Sequence, residues 1–142
     1  MSQLRCVLLV DDDPTTNYLN RKLLVKMGIA DGVLTALNGQ EALAAVNTHC
    51  YEDSPTCPDL IFLDVNMPLM NGFEFLAAYR QLPPAQQCAT VMVMLTTSLH
   101  PRDVQRAHHL PVSSFLTKPL TAEKVTAILQ AHFAAAADTL PG

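Results

Sequence analysis

Short runs of apolar residues alternate along the chain with longer segments in which apolar residues recur every three or four positions. Three of the short runs are apolar at every position, which is typical of strands buried on both faces of a parallel sheet. The five predicted strands are Cys6–Val10, Val33–Leu37, Leu60–Leu63, Val91–Leu95 and Ser114–Leu116.

The segments between these strands predict helices, because their apolar residues fall on one helical face and good capping residues precede several of them. The segments Asn47–Pro58 and Gln81–Gln87 predict loops. The fourth helix has few apolar side chains to anchor it. The five predicted helices are about Pro14–Met27, one that follows the N-cap Asn38, one that begins near Asn71-Gly72, about Pro101–His109, and Thr121 to about Ala136.

Five strand–helix units in succession predict right-handed crossovers and an α/β fold. We expect a doubly wound five-stranded parallel sheet of flavodoxin-like order 2-1-3-4-5, with five helices on its two faces. The 142 residues predict one domain, 1–142, with its core at about 4–133 and a short C-terminal tail at 137–142. We therefore expect no attached effector domain.

Composition narrows the functional classes. With 49% hydrophobic and 15% charged residues, the chain has the composition of a globular protein and not of a disordered one. The net charge of −4 argues against binding to nucleic acid, and so does the absence of any basic run longer than Arg21-Lys22. No apolar stretch predicts a membrane span, and the N-terminus does not resemble a signal peptide. We expect a soluble, cytoplasmic protein.

The four cysteines are Cys6, Cys50, Cys57 and Cys88, and they form no C-x-x-C pair. Without a secretory signal, the favoured interpretation is four reduced, packed thiols. The closeness of His49, Cys50 and Cys57 leaves a zinc site or a loop disulfide as less favoured alternatives, since a fourth ligand at regular spacing is missing.

Polar and charged residues follow four of the predicted strands. Asp11, Asp12 and Asp13 come after the first strand, and Asp64 comes after the third. Thr96 and Thr97 follow the fourth strand, and Lys118 follows the fifth. In the predicted strand order these strands are neighbours, so their end residues converge on one cleft.

Clustered carboxylates repel unless a cation joins them, and oxygen ligands on short turns suit Mg²⁺. With a hydroxyl and an ammonium beside them, they suit transfer of a phosphoryl group to a carboxylate.

These motifs together resemble the receiver domain of two-component response regulators. The matching segments, in the family's order, are LLVDDDP (Leu8–Pro14), FLDVNMPLMNG (Phe62–Gly72), MLTTS (Met94–Ser98) and FLTKPL (Phe115–Leu120). The resemblance covers the chain from about Leu4 to Phe133. It departs from the family at Thr97, at the turn His108–Pro111 and in the long 47–58 loop, none of which touches the acidic residues.

The resemblance implies a role for each residue of the cleft. Asp64 would be the phosphoacceptor, Asp12 a direct Mg²⁺ ligand and Asp11 a ligand that acts mainly through water. The backbone carbonyl of Asn66 would complete the metal shell. Thr96 would be the switch hydroxyl, Lys118 the lysine that pairs with the phosphoryl group, and Phe115 the switch aromatic. The Lys118–Pro119 bond is expected to be cis.

The same resemblance implies a stand-alone signalling switch that takes phosphate from a histidine kinase or a histidine phosphotransfer protein. It would catalyse only its own phosphorylation and dephosphorylation, and would signal through protein contacts or pass the phosphate on. We expect the downstream partner to bind the face formed by the fourth helix, the fifth strand and the last helix, including Arg102, Arg106 and Phe115.

Two other functions remain open. Asp11-x-Asp13-x-Thr15 matches the D-x-D-x-T motif of haloacid-dehalogenase-type phosphohydrolases. That reading lacks an acidic pair after the lysine and leaves Asp64 without a role, and Asp13 before Pro14 is better explained as a helix cap. A receiver fold that serves only as an interaction module is less favoured, because the acidic cluster is intact.

Overall fold

The computed structural model describes residues 4–87, 90–97, 100–106 and 110–138. Five parallel strands form one sheet in the order β2-β1-β3-β4-β5, which confirms the predicted α/β fold and strand order. The strands are β1 (Leu4–Val10), β2 (Ala30–Ala36), β3 (Leu60–Asp64), β4 (Val91–Thr96) and β5 (Ser114–Thr117). The helices are α1 (Pro14–Met27), α2 (Gly39–His49), α3 (Gly72–Arg80), α4 (Pro84–Gln87), α5 (Pro101–Arg106) and α6 (Ala122–Asp138).

Helix boundaries follow local capping chemistry. The side chain of Asn38 accepts the amide of Glu41 at 2.9 Å at the start of α2. Asn71 and Glu74 form a reciprocal capping box at the start of α3. Helix α1 ends at Gly28, whose φ of 65° is the left-handed conformation that glycine adopts without steric cost. The cap expected at Asn38 is confirmed, and α3 begins near Asn71-Gly72, as predicted.

Two apolar clusters cover the two faces of the sheet. One contains the buried residues of α2 and α3 with alternate residues of the strands, among them Ile61, Leu63 and Met94. The other contains apolar residues of α1 and α6 with the opposite strand positions, among them Leu9, Phe62 and Leu95. β3 is buried at every position, as expected of a strand with helices on both sides.

Several predicted boundaries differ from the structure. The predicted loops at 47–58 and 81–87 are partly wrong, because α2 continues to His49 and Pro84–Gln87 forms one helical turn. The last helix extends to Asp138, two residues past the predicted end. Helix α5 is described over Pro101–Arg106, and the remainder of the predicted fourth helix, with His108 and His109, lies outside the described residues.

The expectation of four reduced thiols is wrong for one pair, because Cys50 and Cys57 form a disulfide. Cys50 directly follows α2, and the next loop returns Cys57 to a Cα–Cα distance of 4.5 Å, within the span of a disulfide. No thiolate is left there for the alternative zinc site, and the nearby His49 side chain contacts Thr56 at 2.9 Å. Cys6 is a free, buried thiol, and burial raises its pKa to about 11. Cys88 lies outside the described residues.

None of the described helices is long and apolar enough to span a membrane.

Candidate functional site

Three carboxylates meet at the carboxyl end of the sheet. Asp11 and Asp12 follow β1, and Asp64 is the last residue of the adjacent β3. One carboxylate oxygen from each of the three lies within 4.8 Å of the others. Asp11 and Asp64 are buried, whereas Asp12 is exposed. The parallel arrangement of β1 and β3 therefore brings together acidic residues that lie more than a third of the chain apart in the sequence.

Lys118 places one positive charge in this cluster. It follows β5, and its ammonium donates to Oδ2 of Asp11 at 2.8 Å and pairs with Oδ1 of Asp64 at 3.2 Å. The backbone amide of Lys118 donates to the carbonyl of Thr96 at 2.7 Å, which fixes the lysine to the end of β4. The Lys118–Pro119 peptide bond is cis, as expected. The four charged groups, counted as ionised, sum to −2.

The environment shifts the proton affinities of the two central groups. Burial raises the pKa of Asp64, and Lys118 opposes this shift while the charges of Asp11 and Asp12 add to it. Burial alone would lower the pKa of Lys118, but its hydrogen bond to Asp11 and the charge of Asp64 outweigh burial and raise it. Lys118 therefore stays protonated at neutral pH, and a further cation in the cleft would favour the ionised form of Asp64.

The third aspartate of the run has a different role. The Asp13 side chain accepts the amide of Thr15 at 2.9 Å and the hydroxyl of Thr16 at 3.1 Å, so it caps α1. Its own amide donates to Oδ1 of Asp11 at 2.9 Å. The helix cap predicted for Asp13 is confirmed, and the residue is not one of the clustered carboxylates.

The turn after β3 depends on a residue without a side chain. A Cβ at Gly72 would lie 2.5 Å from the carbonyl oxygen of Asp64, so only glycine lets α3 begin this close to the strand end. The Gly72 amide donates to the carbonyl of Val65 at 3.0 Å and closes the turn. Asn66, whose carbonyl is the predicted metal ligand, is exposed within this turn.

The predicted switch residues lie on one face of the sheet. Thr96 is buried at the end of β4 and lines a polar pocket of about 250 Å³ together with Asn66 and Arg102. Phe115 on β5 pairs in register with Met94, and side-chain alternation places Thr96 on the same face as Met94. Phe115 is half-buried and packs against the apolar cluster of that face. Ser98, the last residue of the MLTTS motif, lies outside the described residues.

The residues present fit a magnesium ion. The donor set consists of oxygen atoms only, on short turns at the ends of two buried strands, which suits a hard divalent cation. The excess charge of −2 on the cluster matches one such ion. Asp12 is the most accessible of the three carboxylates, and therefore the one that an ion from solvent reaches without displacing Lys118.

Two residues of the site were missed in the sequence. Asn17 is buried in α1, and its amide nitrogen donates to the carbonyls of Asp11 and Ala36, so it holds together the ends of β1 and β2. Lys124 in α6 donates to carbonyls on both sides of Lys118. An amide on the inward face of α1 was a detectable signal for Asn17. Lys124 gave a weaker signal, a cation in the first turn of a helix.

Comparison with known proteins gives a consistent result. The family model described as "Response regulator receiver domain" matches residues 7–130. The chain is 32% identical over 129 residues to a probable chemotaxis protein CheY from Rhizobium etli, with 91% of this chain and 92% of that protein covered. It is 34% identical to the response regulator Rcp1 of Synechocystis sp., with 80% and 76% covered.

Solved structures agree with the relatives. The chemotaxis protein CheY4 of Vibrio cholerae superposes with a TM-score of 0.75 at 34% identity, with 90% of this chain and 98% of that chain covered. A two-component response regulator from Cytophaga hutchinsonii superposes with a TM-score of 0.79 at 26% identity, with 92% and 97% covered.

Proposed function

Because the chain belongs to the family of response regulator receiver domains, we propose that it is a phosphorylation-controlled switch that accepts a phosphoryl group on Asp64. The donor is a phosphohistidine in a histidine kinase or a histidine phosphotransfer protein, and the reaction depends on Mg²⁺. One observation carries the proposal: Asp64 is a buried carboxylate paired at 3.2 Å with Lys118 inside a cluster of excess negative charge.

The transfer exchanges one bond to phosphorus for another. An Asp64 oxygen attacks phosphorus, an O–P bond forms, the N–P bond of the donor breaks, and the freed imidazole nitrogen takes a proton from water. Asp11, Asp12 and Asp64, with the Asn66 carbonyl, would hold Mg²⁺, which neutralises the phosphoryl charge when it is bound. Lys118 keeps its proton and supplies a second positive charge, and the Thr96 hydroxyl is a donor for a phosphoryl oxygen.

The surface around the cleft supports a protein as the donor. Three large apolar side chains at this edge are exposed: Tyr18 in the second turn of α1, Leu37 after β2 and Leu69 after β3. Leu69 is 75% exposed and has a φ of 67°, a conformation that residues other than glycine rarely adopt. A protein that docks over the cleft would bury these three side chains, whereas a small-molecule donor would leave them exposed. We further propose that the exchange takes place in the cytoplasm, a compartment whose reducing conditions would open the Cys50–Cys57 disulfide.

The proposed output runs through α5, a weakly anchored helix. None of its described residues is buried, and Arg106 contacts α3 by lying 4.4 Å above the ring of Phe73. A phosphoryl group on Asp64 would draw the Thr96 hydroxyl inward, and Phe115 on the same face would move into the vacated space. Arg102, Arg106 and Phe115, on the face formed by α5, β5 and α6, would then present a changed surface to a protein partner.

Two alternatives have less support. A phosphohydrolase of the haloacid-dehalogenase type would need Asp13 as an acid–base group, but Asp13 caps α1. The acidic residues after Lys118 are only Glu123 and Asp138, which lie far apart in the sequence. A pure interaction module would need neither the carboxylate cluster nor the ion pair between Lys118 and the buried Asp64. We therefore propose no separate substrate for the protein.

The donor class is tested with phosphoramidate, whose N–P bond is the type found in phosphohistidine. In Mg²⁺ the wild-type chain is expected to gain one phosphoryl group by intact-protein mass measurement, and Asp64→Asn to gain none. Asp13→Asn, which keeps a side chain able to cap α1, is the control and is expected to react like wild type. Phosphorylation of Asp64→Asn to the same extent as wild type would contradict the proposal.

The output surface is tested by amide NMR with beryllofluoride, an analogue of the phosphoryl group. We expect shifts at Thr96, Val104 and Phe115 in addition to the residues near Asp64. Changes restricted to the turn after β3 would show that α5 and β5 do not respond.

A further inference from the structure

The segment that carries Lys118 is held by a second lysine. The ammonium of Lys124 donates to the carbonyl of Thr117 at 2.6 Å and to the carbonyl of Pro119 at 3.0 Å. These two carbonyls lie on either side of Lys118 in the chain. Lys124 is half-buried, whereas Lys118 extends from the same segment into the acidic cluster. The ammonium of Lys124 therefore holds the backbone on both sides of Lys118, the lysine that extends into the acidic cluster.

The position of Lys124 in its helix is electrostatically unfavourable. The amide of Lys124 donates to Oγ1 of Thr121 at 3.2 Å, so Thr121 caps α6 and Lys124 is the third residue of the first turn. The N-terminus of a helix favours negative side chains and disfavours cations, and the third position commonly carries Glu or Gln. The contacts to the two carbonyls explain why a lysine occupies this position. They give its ammonium two hydrogen-bond acceptors, and this offsets the unfavourable placement of a cation at a helix N-terminus.

β5 itself holds Lys118 only weakly. It has four residues, none of them buried, and within the described sheet it pairs with β4 alone. The amide of Lys118 is fixed to Thr96 on β4 at 2.7 Å. Lys124 supplies the complementary restraint from the helix side. The backbone of Lys118 is thus held from β4 and from α6, and loss of the α6 contacts would leave the bond to β4 as the remaining restraint.

We propose that Lys124 is a positioning residue that fixes the backbone of Lys118 so that its ammonium meets the phosphoryl group on Asp64. This inference rests on the proposed function. The hydrogen bonds of the Lys124 ammonium go to Thr117 and Pro119 and not to the clustered carboxylates, so it would act through Lys118. Its loss is expected to reduce recognition of the phosphoryl group while it leaves the carboxylates, and hence the binding of Mg²⁺, unchanged.

The test compares Lys124→Met, which keeps the aliphatic stem without the charge, with Lys124→Arg, which can still donate to two carbonyls. Lys26→Met is the matched control, since Lys26 is an exposed lysine at the far end of α1. Mg²⁺ affinity is measured first, and the affinity for beryllofluoride is then measured at saturating Mg²⁺. Amide hydrogen exchange of the metal-free proteins reports on the Lys118 backbone independently of any phosphoryl analogue.

A hydrogen bond to a charged group changes affinity by roughly 10- to 100-fold, so a partial loosening of Lys118 is expected to cost roughly tenfold. Lys124→Met should therefore bind beryllofluoride about tenfold more weakly than wild type, with Mg²⁺ affinity within about twofold. The Lys118 amide should exchange faster, while the amides within β4 keep their rates. Lys124→Arg should recover most of the beryllofluoride affinity, and Lys26→Met should match wild type.

Three outcomes would overturn the inference. Lys124→Met could bind beryllofluoride as wild type does, or it could lose Mg²⁺ and beryllofluoride affinity in parallel, which indicates general loosening. An unchanged exchange rate at the Lys118 amide would also contradict it. Failure of the wild-type chain to bind beryllofluoride is a different result: it contradicts the proposed function, and the exchange rates of the metal-free proteins then decide the role of Lys124. If Lys124→Met does not fold, Lys124→Gln, which keeps one donor, takes its place in the same comparison.

Discussion

Replacing Asp12 with asparagine is expected to remove most of the stabilisation that Mg²⁺ gives the fold. Asp12 is the exposed member of the three clustered carboxylates, and the cluster carries an excess charge of −2 after Lys118 is counted. A divalent cation that binds only the folded protein raises its free energy of unfolding, because the carboxylates converge only when β1 and β3 are paired. Asparagine keeps the size of the side chain and removes one of the charges that attract the ion.

The size of the effect follows from the geometry. The carboxylate oxygens lie within 4.8 Å of one another, and two unit charges at that separation repel by about 3.5 kcal/mol at an effective dielectric constant of about 20, which sets the scale of one charge interaction in the cleft. Solvent at the exposed Asp12 reduces this value, and we take about 1.4 kcal/mol for its attraction to the ion, which is a tenfold change in affinity. At a Mg²⁺ concentration ten times the wild-type dissociation constant, wild type gains about 1.4 kcal/mol and Asp12→Asn about 0.4 kcal/mol. For 142 residues these gains correspond to melting-temperature rises of about 5 °C and about 1 °C.

The assay is thermal unfolding of both proteins across a Mg²⁺ titration at constant ionic strength, with Ca²⁺-free buffers. Asp13→Asn is the matched control, because Asp13 is the adjacent carboxylate but caps α1 instead of joining the cluster. It should show the full wild-type response. Equal melting-temperature rises in wild type and Asp12→Asn would refute the assignment of Asp12 to the metal site.

Three further perturbations have defined outcomes. Burial and the charges of Asp11 and Asp12 raise the pKa of Asp64 against the opposing effect of Lys118, so its contribution to stability is present below the ordinary carboxyl pKa and is lost as the pH rises through the raised pKa. Asp64→Asn should therefore melt above wild type at pH 7, and the difference should shrink on acidification. A constant difference across pH would contradict this. Asn17→Ala removes the donor to the buried carbonyl of Asp11 and should lower the free energy of unfolding, measured in urea, by about 1–3 kcal/mol. A decrease below about 0.5 kcal/mol would show that this hydrogen bond contributes little to stability. Reducing the Cys50–Cys57 disulfide, which joins residues 7 apart, should lower the free energy of unfolding by about 2.5 kcal/mol, and an unchanged melting curve after complete reduction would contradict the cross-link.

The features that could be predicted from the sequence are those that the parallel sheet imposes. The fully apolar run at Leu60–Leu63 indicated a doubly covered strand, and β3 is buried at every position. Once the strand order was predicted, the residues after each strand had to share one edge of the sheet. Asp11, Asp64 and Lys118 therefore came together as predicted, although Lys118 is 107 residues from Asp11 in the chain.

The features that were missed depend on contacts between segments with no periodic signal. The Cys50–Cys57 pairing depends on how the irregular 51–57 loop returns to the end of α2, which no residue pattern specifies. The single turn at Pro84–Gln87 is too short to show helical periodicity. Lys124 was missed because its partners are backbone carbonyls, and every residue has one.

The central claim, that Asp64 is the phosphoacceptor of a switch, is tested most directly by locating the phosphate and counting turnovers. The chain is incubated with acetyl phosphate and Mg²⁺, digested, and mapped by mass spectrometry, while released inorganic phosphate is measured over time. We expect about one phosphoryl group per chain, on the peptide that contains Asp64, with phosphate release no faster than the decay of that group. Many turnovers per chain that depend on Asp11 as the nucleophile and persist in Asp64→Asn would contradict the account and identify a phosphohydrolase.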